Sequence, residues 1–202
     1  MGRAKSRSLI LDGFIVVGVV FALLLIVIAF RPRQTDGEPN IMCVSNVKEI
    51  TKLLIAGGRP LTSSHGGADL ILTLVVKGDL AGERGLRTLF CPGDEEETYE
   101  KAGGMAAYAN LDRSRGSHGH LTSYAGRALS ETGCAVGKEG PPVILVCDDS
   151  EDHHFRKGFV VGWSDGGATY RRKRDDYSME PEELLVIGKD SPVEELRCLR
   201  AE

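Results

Sequence analysis

The sequence predicts an α+β protein in which an N-terminal transmembrane helix and a following helix precede a small antiparallel sheet that the second helix packs on. Three observations carry this. Gly13–Phe30 is an uncharged apolar run between basic flanks. The stretch after it repeats its apolar residues at helical spacing. Two later runs of strand length, the second closed by a Ser-Asp-Gly-Gly turn, read as sheet.

A helix rises about 1.5 Å per residue and the hydrocarbon layer is about 30 Å thick, so roughly 17–25 apolar residues span it. Gly13–Phe30 meets this length. Its end, Ala29-Phe30-Arg31-Pro32, offers a poor site for signal-peptide cleavage, so the run reads as a retained anchor. A buried core helix would keep a polar face, and this run has none. Arg3, Lys5 and Arg7 precede it and Arg31 and Arg33 follow, which places the N-terminus inside. Residues 1–33 are thus a basic tail and anchor, and 34–202 one extracytoplasmic α+β domain. The expected location is the inner (cytoplasmic) membrane, single-pass.

A polar linker, Gln34–Pro39, leads to Asn40 as N-cap of a helix ending near Ala56. Met42, Val47, Ile50, Leu53 and Leu54 form its apolar side, opposite Lys48, Glu49 and Lys52. Gly57-Gly58 and Pro60 end it. A second helix is expected over Ala68–Lys77, although its continuous apolar centre reads equally well as a strand. Leu89–Asp94 turns into an acidic loop, and Gly103–Gly137 is expected to hold loops and short pieces. Pro142–Cys147 and Phe159–Trp163 read as buried strands. Ser164–Gly167 supplies a tight turn, and Ala168–Tyr170 returns as the hairpin partner. The tail from Tyr177 is acidic, with one apolar run, Leu184–Ile187.

Of 25 basic and 29 acidic residues, five basic ones and Asp12 belong to the first 33 positions. The remainder holds 20 against 28, a net charge of −8. Nucleic-acid binding needs a basic face and is therefore not expected. The run Arg171–Arg174 is followed at once by Asp175 and Asp176 and reads as charge protecting a sheet edge. The cysteines are Cys43, Cys91, Cys134, Cys147 and Cys198. None has CxxC spacing, so zinc is not expected; one or two disulfides and burial as small hydrophobes both remain open.

Four segments occur in order: Cys43–Ile50 after the anchor, Leu89–Asp94 with Cys91-Pro92, Ser123–Gly126 with Ser123-Tyr124, and Cys147–Asp149 leading through His153-His154 to Phe159–Gly167. The chain resembles type II secretion pseudopilins and prepilin-like proteins with a C-terminal His…Asp-Gly signature. That resemblance implies a pilin-like fold, a structural or interaction role in type II secretion or a related surface assembly, and other pilin-like subunits as partners beside the membrane. It also implies a prepilin cleavage site at Gly13 and Phe14. Where the family carries a membrane-buried Glu this chain has Gly18, and Ser164-Asp165-Gly166-Gly167 replaces Ala-Asp-Gly-His. Gly18 offers no carboxylate to a neighbouring subunit's amine, so peptidase processing is expected to be inefficient or absent.

Asp148, Asp149, His153 and His154 form the candidate metal set, beside Glu151 and Asp152. Oxygen ligands dominate and some pseudopilins bind calcium, so calcium is the expected ion; a hydrated acidic loop would have the same composition. An alternative function is a membrane-anchored metal-dependent hydrolase using Asp148, His153 and His154, or an anchored binding domain. His118 and His120 could serve as bases for Ser117, Ser123 or Cys134, although no local nucleophile signature accompanies them. Asp165 is expected to serve its turn, and Trp163 a sheet face.

Overall fold

The computed structural model describes residues 41–56, 66–93, 98–109, 111, 118–137, 140–148, 157–180 and 182–201. The chain divides into two units, Met1–Asp36 and Gly37–Glu202, and every described residue belongs to the second. Gly13–Phe30, Asn40, His65, Asp94–Glu97, Ser117, Asp149, His153 and His154 lie outside the described residues. No helix among the described residues is long and apolar enough to cross a membrane.

The fold is α+β, built on a five-stranded, wholly antiparallel sheet in the order β4-β3-β2-β1-β5. The strands are β1 (Tyr124–Arg127), β2 (Ile144–Asp148), β3 (Gly158–Trp163), β4 (Ala168–Arg172) and β5 (Leu199–Arg200). The helices are α1 (Ile41–Ala56), α2 (Ala68–Lys77), α3 (Gly82–Arg87), α4 (Met105–Ala109) and α5 (Lys173–Tyr177). Strands β1 and β5 fall in segments whose sequence predicts only loops and an acidic tail. Both strands are short, and β1 (Tyr-Ala-Gly-Arg) lacks the β-branched run that marks a strand.

Helix α1 buries Cys43, Val47, Ile50, Thr51 and Leu54, a single stripe at i, i+4, i+7, i+8 and i+11. The stripe is shifted from the expected one. Met42 is exposed and Leu53 half-buried, while Cys43 and Thr51 take the inward places. The stripe lies directly on β3. A Cβ at Gly162 would stand 2.1 Å from Thr51 Oγ1 and 2.9 Å from Val47 Cγ1, so only glycine admits the helix there.

Helix α2 is buried at Ala68 and from Leu70 to Leu74, which is why no clean period separates helix from strand in the sequence. It ends at Gly78, whose φ of 80° places its N–H on Leu74 O and Val75 O. Its N-terminus rests on β1, where a Cβ at Gly126 would meet Gly67 O at 2.1 Å. The two helices and the sheet face beneath them close one core, including Tyr124, Val146 and Val160. On the opposite face Ala125, Ile144, Cys147, Phe159 and Val161 are covered by the C-terminal segment through Met179, Val193, Leu196 and Leu199. Burial on both faces explains the unbroken apolar sequences of β2 and β3.

The β3–β4 hairpin turns as expected. Gly166 has φ 86°, and Asp165 Oδ1 accepts the Gly167 N–H at 2.8 Å. Strand β4 is a sheet edge, and Arg171 and Arg172 on it pair with Asp176 and Asp175 of α5. Lys173 departs from the expected edge charge. It is 1% exposed and its Nζ donates to Glu183 O at 2.6 Å.

Candidate functional site

Antiparallel register places Tyr124 of β1 directly opposite Asp148 of β2. Both side chains stand on the helix-covered face, because side chains alternate along each strand and Val146 and Gly126 share that face. Helix α1 brings Cys43 onto them from above. The segment after α3 brings Cys91 alongside, and that segment is pinned at several points. Asn46 Nδ2 donates to Phe90 O at 3.0 Å, Ser123 N–H and Thr122 Oγ1 both reach Leu89 O at 3.0 Å, and Cys91 N–H donates to Ser123 Oγ at 3.0 Å.

The result is a polar cluster inside an apolar core. Cys43, Tyr124 and Asp148 are fully buried and Cys91 is 1% exposed. One ligating atom from each of Cys43, Cys91 and Asp148 lies within 4.8 Å of the other two. Cys43 Sγ donates to Asp148 Oδ1 at 3.1 Å and stands 3.6 Å from the Tyr124 hydroxyl. The second carboxylate oxygen, Oδ2, accepts the Val160 N–H at 2.6 Å. Burial, with Cys91 and Asp148 adding to it, pushes the Cys43 thiol far above its ordinary range. Burial likewise raises the Tyr124 phenol well above its own. With no cation beside it a thiol so placed is a poor nucleophile, and it would become a thiolate ligand only where a bound cation takes the place of its proton. Its environment is suited to ligation or structural hydrogen bonding.

The structure places the sequence candidates unevenly. Asp148 points into this cluster and keeps sulfur company; Asp149, His153 and His154, the other members of the expected metal set, lie outside the described residues, as do the cleavage-site residues Gly13 and Phe14. Cys134 cannot serve as a nucleophile, because it is disulfide-bonded to Cys198 with a Cα separation of 5.4 Å. Ser123 Oγ is engaged by Cys91 N–H, and His118 Nδ1 sits 3.0 Å from Asp69 Oδ1 at the start of α2. Trp163 lies at the sheet face, its Nε1 donating to Thr169 Oγ1 at 2.9 Å with Arg171 over its ring.

Cys43, Cys91 and Tyr124 were not legible as a site from spacing alone. They lie 48 and 33 positions apart, and only the packing of α1 and of the segment after α3 against β1 brings them together. The signal present was indirect: Cys43, Cys91, Tyr124 and Asp148 each fall in one of the four sequence segments singled out above.

A cleft of about 750 Å³ opens beside the cluster, lined by Met42, Asn46, Phe90, Cys91 and Tyr99 among others. Its rim carries Arg87, paired with Glu83 at 2.8 Å and Glu100 at 2.6 Å and lying over the Tyr99 ring. No family model, curated protein or solved structure was found to match this chain.

Proposed function

We propose that this chain is a membrane-anchored, pilin-like structural or interaction protein of the inner membrane, serving type II secretion or a related surface assembly, with its C-terminal domain outside the cytoplasm. The observation that carries this reading is the position of α1. It follows the apolar run and its linker in sequence, and it lies along one face of an antiparallel sheet through a single buried stripe. In pilin-like proteins a helix in this place joins anchor to head. Ile41 and Met42, at the start of α1, are 81% and 64% exposed, apolar surface suited to contact with a neighbouring subunit or the membrane boundary.

The Cys134–Cys198 disulfide supports the same topology, since such bonds persist in oxidising compartments. The acidic balance of residues 34–202 disfavours nucleic acid as a partner.

Topology is the test. Reporter fusions at the C-terminus and alkaline extraction of membranes should give an integral protein with its C-terminus outside. A fully soluble product, or a cytosolic C-terminus, would overturn the reading. Mass determination of the mature N-terminus adds a second arm: an unprocessed chain is expected because of Gly18, and a chain beginning at Phe14 would show that prepilin peptidase accepts it.

A further inference from the structure

We propose that Cys43, Cys91 and Asp148 hold one structural Zn²⁺ ion, with the Tyr124 hydroxyl as the adjoining oxygen for a fourth position. The three donor atoms already converge within 4.8 Å, whereas a tetrahedral zinc site with bonds of about 2.3 Å to sulfur and about 2.0 Å to oxygen needs donors roughly 3.5–4 Å apart. Only small side-chain shifts separate the two arrangements. The Tyr124 hydroxyl is 3.6 Å from Cys43 Sγ, already in that range.

The donor set selects the ion. Two sulfurs with one or two oxygens suit a borderline ion such as Zn²⁺; calcium takes six to eight hard oxygen ligands, and this pocket does not offer them. Complete burial of the donors argues for a closed structural site and not for one that keeps an open water position. The second coordination layer is also in place. Val160 N–H fixes Asp148 through Oδ2 at 2.6 Å, which leaves Oδ1 turned toward Cys43, and Ser123 Oγ fixes the Cys91 backbone.

Charge balances without a further partner. Zn²⁺ replaces two thiol protons, which leave to solvent as two H⁺, while two S–Zn bonds form and no electrons move. The cluster carries the same net charge before and after, so binding adds no uncompensated charge to the core. The cleft that Cys91 lines gives the ion its way in and the protons their way out.

The same chain shows how a pair meant for oxidation is arranged. Cys134 and Cys198 are joined, with Cys134 buried and no carboxylate in contact with either sulfur among the described residues. Cys43 and Cys91 carry thiols, and Cys43 is aimed at a carboxylate. The ion would tie three elements far apart in sequence, α1, the segment after α3, and β2, at the point where α1 begins.

The test uses the full chain purified in detergent from cells grown with zinc. Elemental analysis should find about one zinc per chain, and replacement by Co²⁺ should give the intense sulfur-to-metal absorption of a two-thiolate site. Cys91→Ser and Asp148→Asn should each lower metal affinity by about tenfold or more. Cys147→Ser, whose side chain belongs to the opposite face of the sheet, should keep full occupancy. The wild-type zinc content and cobalt spectrum need no variant, so misfolding of a mutant cannot hide the answer. A zinc-free wild type whose Cys43 and Cys91 both alkylate after unfolding, or a Cys43–Cys91 disulfide peptide in a non-reducing digest, would overturn the proposal.

Discussion

The two faces of the sheet are closed in different ways. One is covered by regular helices: α1 and α2 press so near that Gly162 and Gly126 leave no room for a Cβ. The other is covered by an irregular C-terminal segment in which a five-residue helix, two β5 residues and a short 3₁₀ turn at Glu194–Leu196 are the only regular pieces among the described residues. Helices satisfy their own backbone and can be held by shape alone. An irregular cover cannot, so it borrows bonds from side chains. Arg197 Nε donates to Ser191 O, Lys173 Nζ donates to Glu183 O, and the Tyr177 hydroxyl donates to Glu195 Oε2. The Cys134–Cys198 bond then fixes the end of this cover to the loop after β1. The helical face therefore depends on fit and the coil face on tethers.

The sharpest way to break that comparison is to cut the tether. The disulfide closes a loop across 64 positions. Chain-entropy arguments give about 4 kcal/mol for a loop of this size, with measured removals spanning roughly 2–5 kcal/mol. A paired Cys134→Ser/Cys198→Ser variant should lose stability in that range in denaturant titrations. Amide exchange should speed up most over residues 182–201, while the buried turns of α1 stay protected. An equal rise on both faces would show that the two covers unfold together and do not differ in what holds them.

The helical face should fail by the opposite route, through overpacking. Gly162→Ala drives a methyl group to 2.1 Å from Thr51 Oγ1, so α1 must lift or β3 must bend. The expected cost is about 2–3 kcal/mol. Adding Thr51→Ala clears the nearest atom, although Val47 Cγ1 at 2.9 Å still crowds the site and Val47 O loses its bond from Thr51 Oγ1. The double variant should therefore recover part of the loss, with a coupling of about 0.5–1 kcal/mol or more in a double-mutant cycle. Strict additivity would mean that α1 does not rest on Gly162.

The same contrast explains what the sequence revealed. The bounds of α1 and α2 were legible, because Gly57-Gly58 and Gly78 follow them in the sequence, but only α1 repeats its apolar residues at helical spacing; the continuous apolar centre of α2 left helix and strand undecided. The β3–β4 hairpin was legible through Ser164–Gly167. Strands β1 and β5 were not, since Tyr124–Arg127 and Leu199–Arg200 become strands only by pairing with each other and with β2. The fate of the cysteines could not be read for a related reason. Spacing in sequence says nothing of which sulfurs meet, and Cys43 and Cys91 meet only after α1 docks. Asp148 was singled out for its acidic neighbours, but strand alternation turns it inward to sulfur and a phenol.

The smallest effect, and the finest test of the coil face, concerns Lys173. Its ammonium donates to Glu183 O at 2.6 Å from a side chain that is 1% exposed. Lys173→Met keeps the buried stem and removes the donor. Two consequences oppose each other: the carbonyl loses its partner, which costs about 1–3 kcal/mol when fully buried, and a cation no longer has to leave water. Glu183 is exposed, so water can replace much of the lost bond and the cost should fall near the low end. A net loss of about 1 kcal/mol is expected, with faster exchange confined to residues 182–187 and no change for Lys189→Met on the exposed part of the same segment. If Lys173→Met were as stable as the parent, apolar contacts through Met179 and Leu196 would suffice to hold the cover, and the coil face would be closed by fit in the same way as the helical one.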